Sequence, residues 1–179
     1  MRRILPSLAV LGALLCGAAS PPPGWTSPTI PGYGAIHVWP QATDRPDPAH
    51  TYKALFVLDS ADSAGTGVNQ ALLQVARAVN EFGAAGVPLA HLRFRVVIKG
   101  GATPIVLNDA TFQARFHKPN PNLDLIARLE KAGVTFLVCG NALFGFQANP
   151  AQLAPGIGVA LSALSSEIIA ADQGYAIIQ

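Results

Sequence analysis

Cys139 is preceded by the apolar run Val134 to Val138 and followed by Gly140 and Asn141, so a thiol stands where a buried-looking strand gives way to a turn. In an open α/β sheet the carboxyl ends of strands and the amino ends of helices converge at such junctions. Helix amides and nearby cations there favour the thiolate, the nucleophilic form of cysteine. The chemistry this supports is attack on sulfur, or its acceptance. Free cysteine is also among the most buried small side chains, so the same position fits an inert core residue. The residue types alone leave both uses open.

Two further loops could join it. Lys99, Gly100, Gly101 and Thr103 follow the expected strand Leu92 to Ile98, and Asp59, Ser60, Asp62, Ser63 and Thr66 follow Tyr52 to Leu58. In a parallel sheet these loops share one edge with Cys139, Gly140 and Asn141. Lys99 would favour a thiolate and Asp59 would oppose it, although a strand-end lysine can equally be solvated. The stretch from Asp59 to Gly67 could cradle an anion through backbone amides. It could also be an ordinary connection, since Ser, Asp and Gly are what turns and caps require. It matches neither a Walker loop nor a dinucleotide fingerprint. His37, His50, His91 and His117 show no metal-ligand spacing, and the chain carries no Gly-x-Ser-x-Gly elbow. No metal or cofactor is expected.

The elements that must position these residues follow from periodicity. Tyr52 to Leu58 and Leu92 to Ile98 are apolar beyond Lys53 and Arg95, as strands covered on both faces read. From Gly67 to Ala85, Val68, Leu72, Val75, Ala76 and Val79 form a helical stripe that ends near Gly83 and Gly86, before Pro88. A less regular stretch from Gly100 to Asn120 contains a short helix around Asp109 to Phe116. Asn120-Pro121 supplies an N-cap and first-turn proline for a helix through Leu123, Ile126, Ala127 and Leu129 to Gly133. The third strand is Val134 to Cys139. A helical turn begins at Asn149-Pro150, a short strand runs from Gly158 to Leu161, a helix from Ser165 to Asp172, and a closing strand from Tyr175 to Ile178. Five strands separated by helices call for an α/β fold in which a parallel sheet carries helices on both faces.

Around this domain, residues 51–179, the chain is organised simply. Arg2 and Arg3, the apolar run Ile4 to Leu15 and the small residues Gly17 to Ala19 have the layout of a secretory signal peptide over residues 1–19. The run is too short to cross a bilayer, so no membrane association is expected after cleavage, and a periplasmic or secreted protein is. Cys16 raises lipidation as a rival, against which Leu15 is bulky. From Ser20 to His50 lies an extended lead holding eight of the 15 prolines. Its Trp25, Ile36, Val38 and Trp39 argue that part of it packs on the domain. Loss of Arg2 and Arg3 takes the 12 Lys and Arg to 10, equal to the 10 Asp and Glu, so no nucleic-acid partner is expected. The 50% apolar content with 12% charged residues makes self-association plausible. With Cys16 removed, Cys139 has no intramolecular disulfide partner.

Several stretches in this order resemble the DsrE/DsrF-like family, and in particular its exported members. They are Tyr52-Lys53-Ala54-Leu55-Phe56, Arg95-Val96-Val97-Ile98-Lys99-Gly100-Gly101, Asn122-Leu123-Asp124-Leu125-Ile126, Ala132-Gly133-Val134 and Val138-Cys139-Gly140, with Ile30-Pro31-Gly32-Tyr33-Gly34 in the lead. The resemblance implies a three-layer α/β/α sandwich with a five-stranded parallel sheet, assembled into dimers, trimers or hexamers. In the family's cytoplasmic sulfur-relay members a cysteine after the third or fourth strand carries sulfur as a persulfide and passes it to a partner protein. Cys139 falls where that residue would. The segment Asn141 to Phe146 lacks the arginine of the relay proteins, and Lys99 stands where many exported relatives have histidine before glycine. The expected site therefore has Cys139 as the sulfur-bearing residue, with Lys99, Gly100, Gly101, Asp59, Ser60 and Asn141 around it. A homo-oligomer with a sulfur-donor or acceptor protein is the expected assembly. The alternative is a non-catalytic oligomeric module that binds a small molecule or assembles, with a buried structural cysteine.

Overall fold

The computed structural model describes residues 22–62 and 67–179. The leader expected over residues 1–19 lies outside the described residues, as do Ser63 and Thr66. Five strands, β1 (Tyr52–Leu58), β2 (Leu92–Ile98), β3 (Thr135–Cys139), β4 (Gly158–Ala160) and β5 (Ala176–Ile178), form one all-parallel sheet in the order β4-β3-β2-β1-β5. The helices are α1 (Gln70–Ala84), α2 (Asp109–Phe116), α3 (Leu123–Lys131), α4 (Gly140–Gly145) and α5 (Ala163–Asp172), with short 3₁₀ turns at Leu89–His91, Gly100–Val106 and Pro150–Gln152. The α/β architecture with a five-stranded parallel sheet is the one the strand and helix pattern calls for.

Right-handed crossovers explain the layering. From β1 to β4 the chain steps outward in one direction, which places α1 and α3 on one face. The β4 to β5 connection returns across the sheet and places α5 on the other. Strand residues divide accordingly. Phe56, Phe94, Val96, Ile98, Phe136 and Val138 enter the larger core with Leu72, Val75 and Val79 of α1 and Leu125, Ile126 and Leu129 of α3. Leu55, Val57, Val97 and Cys139 enter a smaller core with Ala163 and Ala170 of α5. Each fully buried Leu or Val contributes about 1.5–3 kcal/mol relative to exposure, so the larger core carries most of the apolar stabilisation.

Helix α1 begins three residues later than the expected start at Gly67, because the Asn69 side chain accepts from the Leu72 amide and fixes the start. The expected cap at Asn120 is corrected: Asn122 occupies the N-cap position of α3 without a side-chain cap. The buried Asn120 amide is committed elsewhere, donating to the carbonyls of Ile105 and Leu107 at 3.0 and 2.8 Å. Helix α5 starts earlier than Ser165, since Ser162 and Ser165 form a reciprocal capping box. In the lead, Ile30 and Ile36 are buried, and Ile30 belongs to the larger core.

Candidate functional site

The carboxyl edge of the sheet brings the sequence-nominated loops together. Leu58 pairs with Ile98, and Ile98 with Val138. One residue further along, Asp59, Lys99 and Cys139 therefore follow one another on adjacent strands, about 4.8 Å apart per strand. Ala160 of β4 pairs with Cys139 and extends the row. By the alternation of side chains along a strand, Asp59, Lys99 and Cys139 share the parity of Val57, Val97 and Leu137, whose side chains lie on the α5 face.

Cys139 also occupies a topological switch point. After β3 the chain turns toward the larger core, where Leu143, Phe146 and Ala148 pack. After β4 it turns to the opposite face, where Ala163 packs. Adjacent strands whose connections leave in opposite directions open a crevice at their carboxyl ends, the usual ligand position in such sheets. Gly140 lets the two connections approach closely here, because a Cβ at that position would lie 2.9 Å from the Ala160 carbonyl oxygen. The thiol itself is free and buried, 7% exposed, and belongs to the smaller core that Val97 and Ala163 also enter. It holds the N-cap position of α4 but caps no amide.

Lys99 is half-buried and does not stand alone: its Nζ lies 3.6 Å from Oε1 of Glu167, on the inward side of α5. Glu167 was not singled out in the sequence, and it brings a carboxylate into the row from a helix distant in the chain. Gly100 and Gly101 open the 3₁₀ turn, with Gly100 at a φ of 51°. Their Cβ positions would each lie 3.2 Å from the Asp59 carbonyl oxygen, so glycine lets the two loops meet backbone to backbone. The Ala102 amide donates to that same oxygen at 3.2 Å. Ser60 is partly buried; its carbonyl accepts from the Asn69 side chain, and its hydroxyl accepts from the Asp62 amide. Asn141 is exposed on the first turn of α4, and no hydrogen bond joins it to the row.

Beneath the edge runs a chain of buried asparagines that the sequence reading did not identify as a unit. Asn122 Oδ1 accepts from the Asn69 amide at 2.8 Å, and Asn120 Oδ1 accepts from both the Asn122 amide and its Nδ2 at 3.0 Å. Asn69 reaches Ser60, and Asn120 reaches the turn that Lys99 precedes. Every link in this chain is internal, so it fixes the loops rather than presenting a ligand site. The signal in sequence is asparagine immediately before helices, at Asn69 and Asn122. Among the described residues no group of three or more His, Cys, Asp or Glu side chains is placed to hold a metal. No helix among them is long and apolar enough to cross a membrane.

The parallel sheet, its strand order and the thiol at the end of β3 define an α/β protein with its candidate chemistry at the carboxyl edge. Over residues 53–179 the chain matches the model of the DsrE/DsrF-like family, and it belongs to that family. It is similar in fold to a solved protein of unknown function, MTH1491 from Methanobacterium thermoautotrophicum. The two share 20% identity with a TM-score of 0.54, over 71% of this chain and 97% of that one. No curated protein matches the chain.

Proposed function

We propose that this protein handles sulfane sulfur through Cys139, holding it as a persulfide and passing it on after export from the cytoplasm. The observation that carries the reading is the place of Cys139: the switch point of a DsrE/DsrF-like sheet, in one row with Lys99. The thiolate attacks the outer sulfur of a donor persulfide. A new S–S bond forms on Cys139, the donor's S–S bond breaks, and the donor leaves as a thiolate carrying that electron pair. Lys99 supports the negative charge on either sulfur, and the abutting Asp59 and Gly100-Gly101 backbones shape the approach. The test is mass spectrometry of the folded mature protein after polysulfide treatment. A gain of one or more sulfur atoms on Cys139, absent in Cys139→Ala, is expected; unchanged loading in Cys139→Ala contradicts the reading.

One observation favours a second reading, in which Cys139 is structural and the protein is a binding or assembly module: the thiol is sealed among aliphatic side chains of the single chain. That reading expects alkylation only after unfolding.

Under both readings a second copy of the chain covers α5. This helix turns Ala163 and Ala170 toward its own sheet and leaves Leu164, Ile168 and Ile169 at 67%, 62% and 52% exposure, with Leu161 just before it at 85%. An isolated surface helix puts its large apolar residues inward. Four large apolar side chains exposed on and just before one short helix are the kind of surface that marks a contact site. Apart from Asp172, the charged group of α5 is Glu167, which faces inward to Lys99. A surface with so little charge suits a copy of itself better than a charged partner.

A further inference from the structure

Far from Cys139, the lead folds back on the carboxyl end of α1 and borders an open cavity of about 240 Å³. That is room for several waters or for one small organic group. Its lining includes Trp39, His37 and Phe82 together with Asp44, Glu81 and Arg45. Trp39 is 67% exposed, a large apolar ring left open beside the cavity. His37 braces it edge-on at 5.1 Å, and its own Nδ1 donates to the Gly24 carbonyl at 2.8 Å.

The charges distinguish among ligands. Arg45 Nη1 donates to the carbonyls of Pro40 and Trp39 at 2.6 and 3.3 Å, closing the 39–45 loop and turning the guanidinium toward backbone. Asp44 and Glu81 belong to neither of the two ion pairs among the described residues and accept no side-chain hydrogen bond. An anion would meet two unneutralised carboxylates and one cation already engaged. A cation would meet the carboxylates and the face-negative aromatic rings, the combination by which proteins recognise organic ammonium ions. We propose that this cavity binds a small organic ammonium ion, quaternary or alkylated, with Trp39 as the aromatic wall and Asp44 and Glu81 as the counter-charges. The site is independent of the thiol and of the sulfur reading.

Its test uses the mature full-length chain with Trp25→Phe, so that Trp39 is the remaining tryptophan. Its fluorescence is titrated with choline and, separately, with dimethylbutanol, the neutral carbon isostere. Saturable binding of choline, at least tenfold tighter than the alcohol, is expected. Trp39→Ala, followed by tritium-free equilibrium dialysis or NMR of choline, weakens binding tenfold or more, and Asp44→Asn with Glu81→Gln abolishes the preference for the cation. Equal binding of the two probes, no saturation at millimolar choline, or undiminished binding by Trp39→Ala overturns the proposal. The isostere comparison requires no variant of the lining, and the exposure of Trp39 keeps its truncation out of the core.

Discussion

Asn80 is wholly buried, yet its side chain uses all four of its hydrogen-bonding positions on the lead: Oδ1 accepts from the amides of Thr29 and Ile30, and Nδ2 donates to the carbonyls of Tyr33 and Gly34. Asn80→Ala strands those backbone groups, and about 2–4 kcal/mol of stability should be lost in denaturant titration; a loss of about 0.5 kcal/mol or less, the ordinary surface range, contradicts this assignment. At the sheet edge Lys99 pairs with Glu167, and under the proposed function that carboxylate competes with the Cys139 sulfur for the Lys99 charge. Glu167→Gln should therefore speed alkylation of the folded protein at neutral pH, and Lys99→Met should slow it; if both variants react at the parent rate, Lys99 does not serve the thiol. Cys139, Lys99, Gly100, Gly101, Asp59 and Ser60 were legible because strand ends are marked by apolar runs meeting glycine and polar residues. Glu167 and the Asn69, Asn120 and Asn122 chain were not, since their meaning comes from partners on elements far apart in sequence.

The lead is held by a second contact, on α3. Tyr33 donates its hydroxyl hydrogen to Asp124 Oδ2 at 2.9 Å, and Arg128 Nε donates to the same oxygen at 2.8 Å. The Arg128 hydrogen bond holds the Asp124 carboxyl below its ordinary value, with the Tyr33 bond adding to it and partial burial opposing it. A carboxyl lowered in the folded state contributes stability that is present above its unfolded value of about 3.9 and lost as pH falls through the lowered one. Asp124→Asn should therefore flatten the acid limb of a thermal-melting series run from about pH 6 to pH 2. An acid limb identical to the parent's would remove Asp124 from the account. Most elements were readable from periodicity, with β1, β2 and α2 matching end to end. The 3₁₀ turn at Gly100–Val106 was missed because Pro104 and paired glycines imitate a loop, although Thr103 is buried and its hydroxyl donates to the Gly100 carbonyl at 2.7 Å.

For the whole molecule, the inverted packing of α5 sets the expectation of self-association. Leu164→Asp with Ile168→Asp removes two apolar side chains from the contact, each worth about 1.5–3 kcal/mol when buried, or roughly 10- to 100-fold in affinity. Sedimentation should show the parent assembled and the variant monomeric at micromolar concentration; a monomeric parent would leave α5 without the proposed partner. The parallel sheet was legible in the alternation of strands and helices, while the outward face of α5 was not, because Leu and Ile in a short helix read as core until the sheet shows which side is covered. The row at the carboxyl edge bears on the reactivity of one sulfur. The most direct measurement is therefore the mass of folded mature protein after brief polysulfide exposure, with the modified residue located by peptide mapping. Added sulfur on Cys139 in the native protein and none in Cys139→Ala is the expected result; a native protein that gains no sulfur, while the unfolded chain does, rules out sulfur handling by the folded chain.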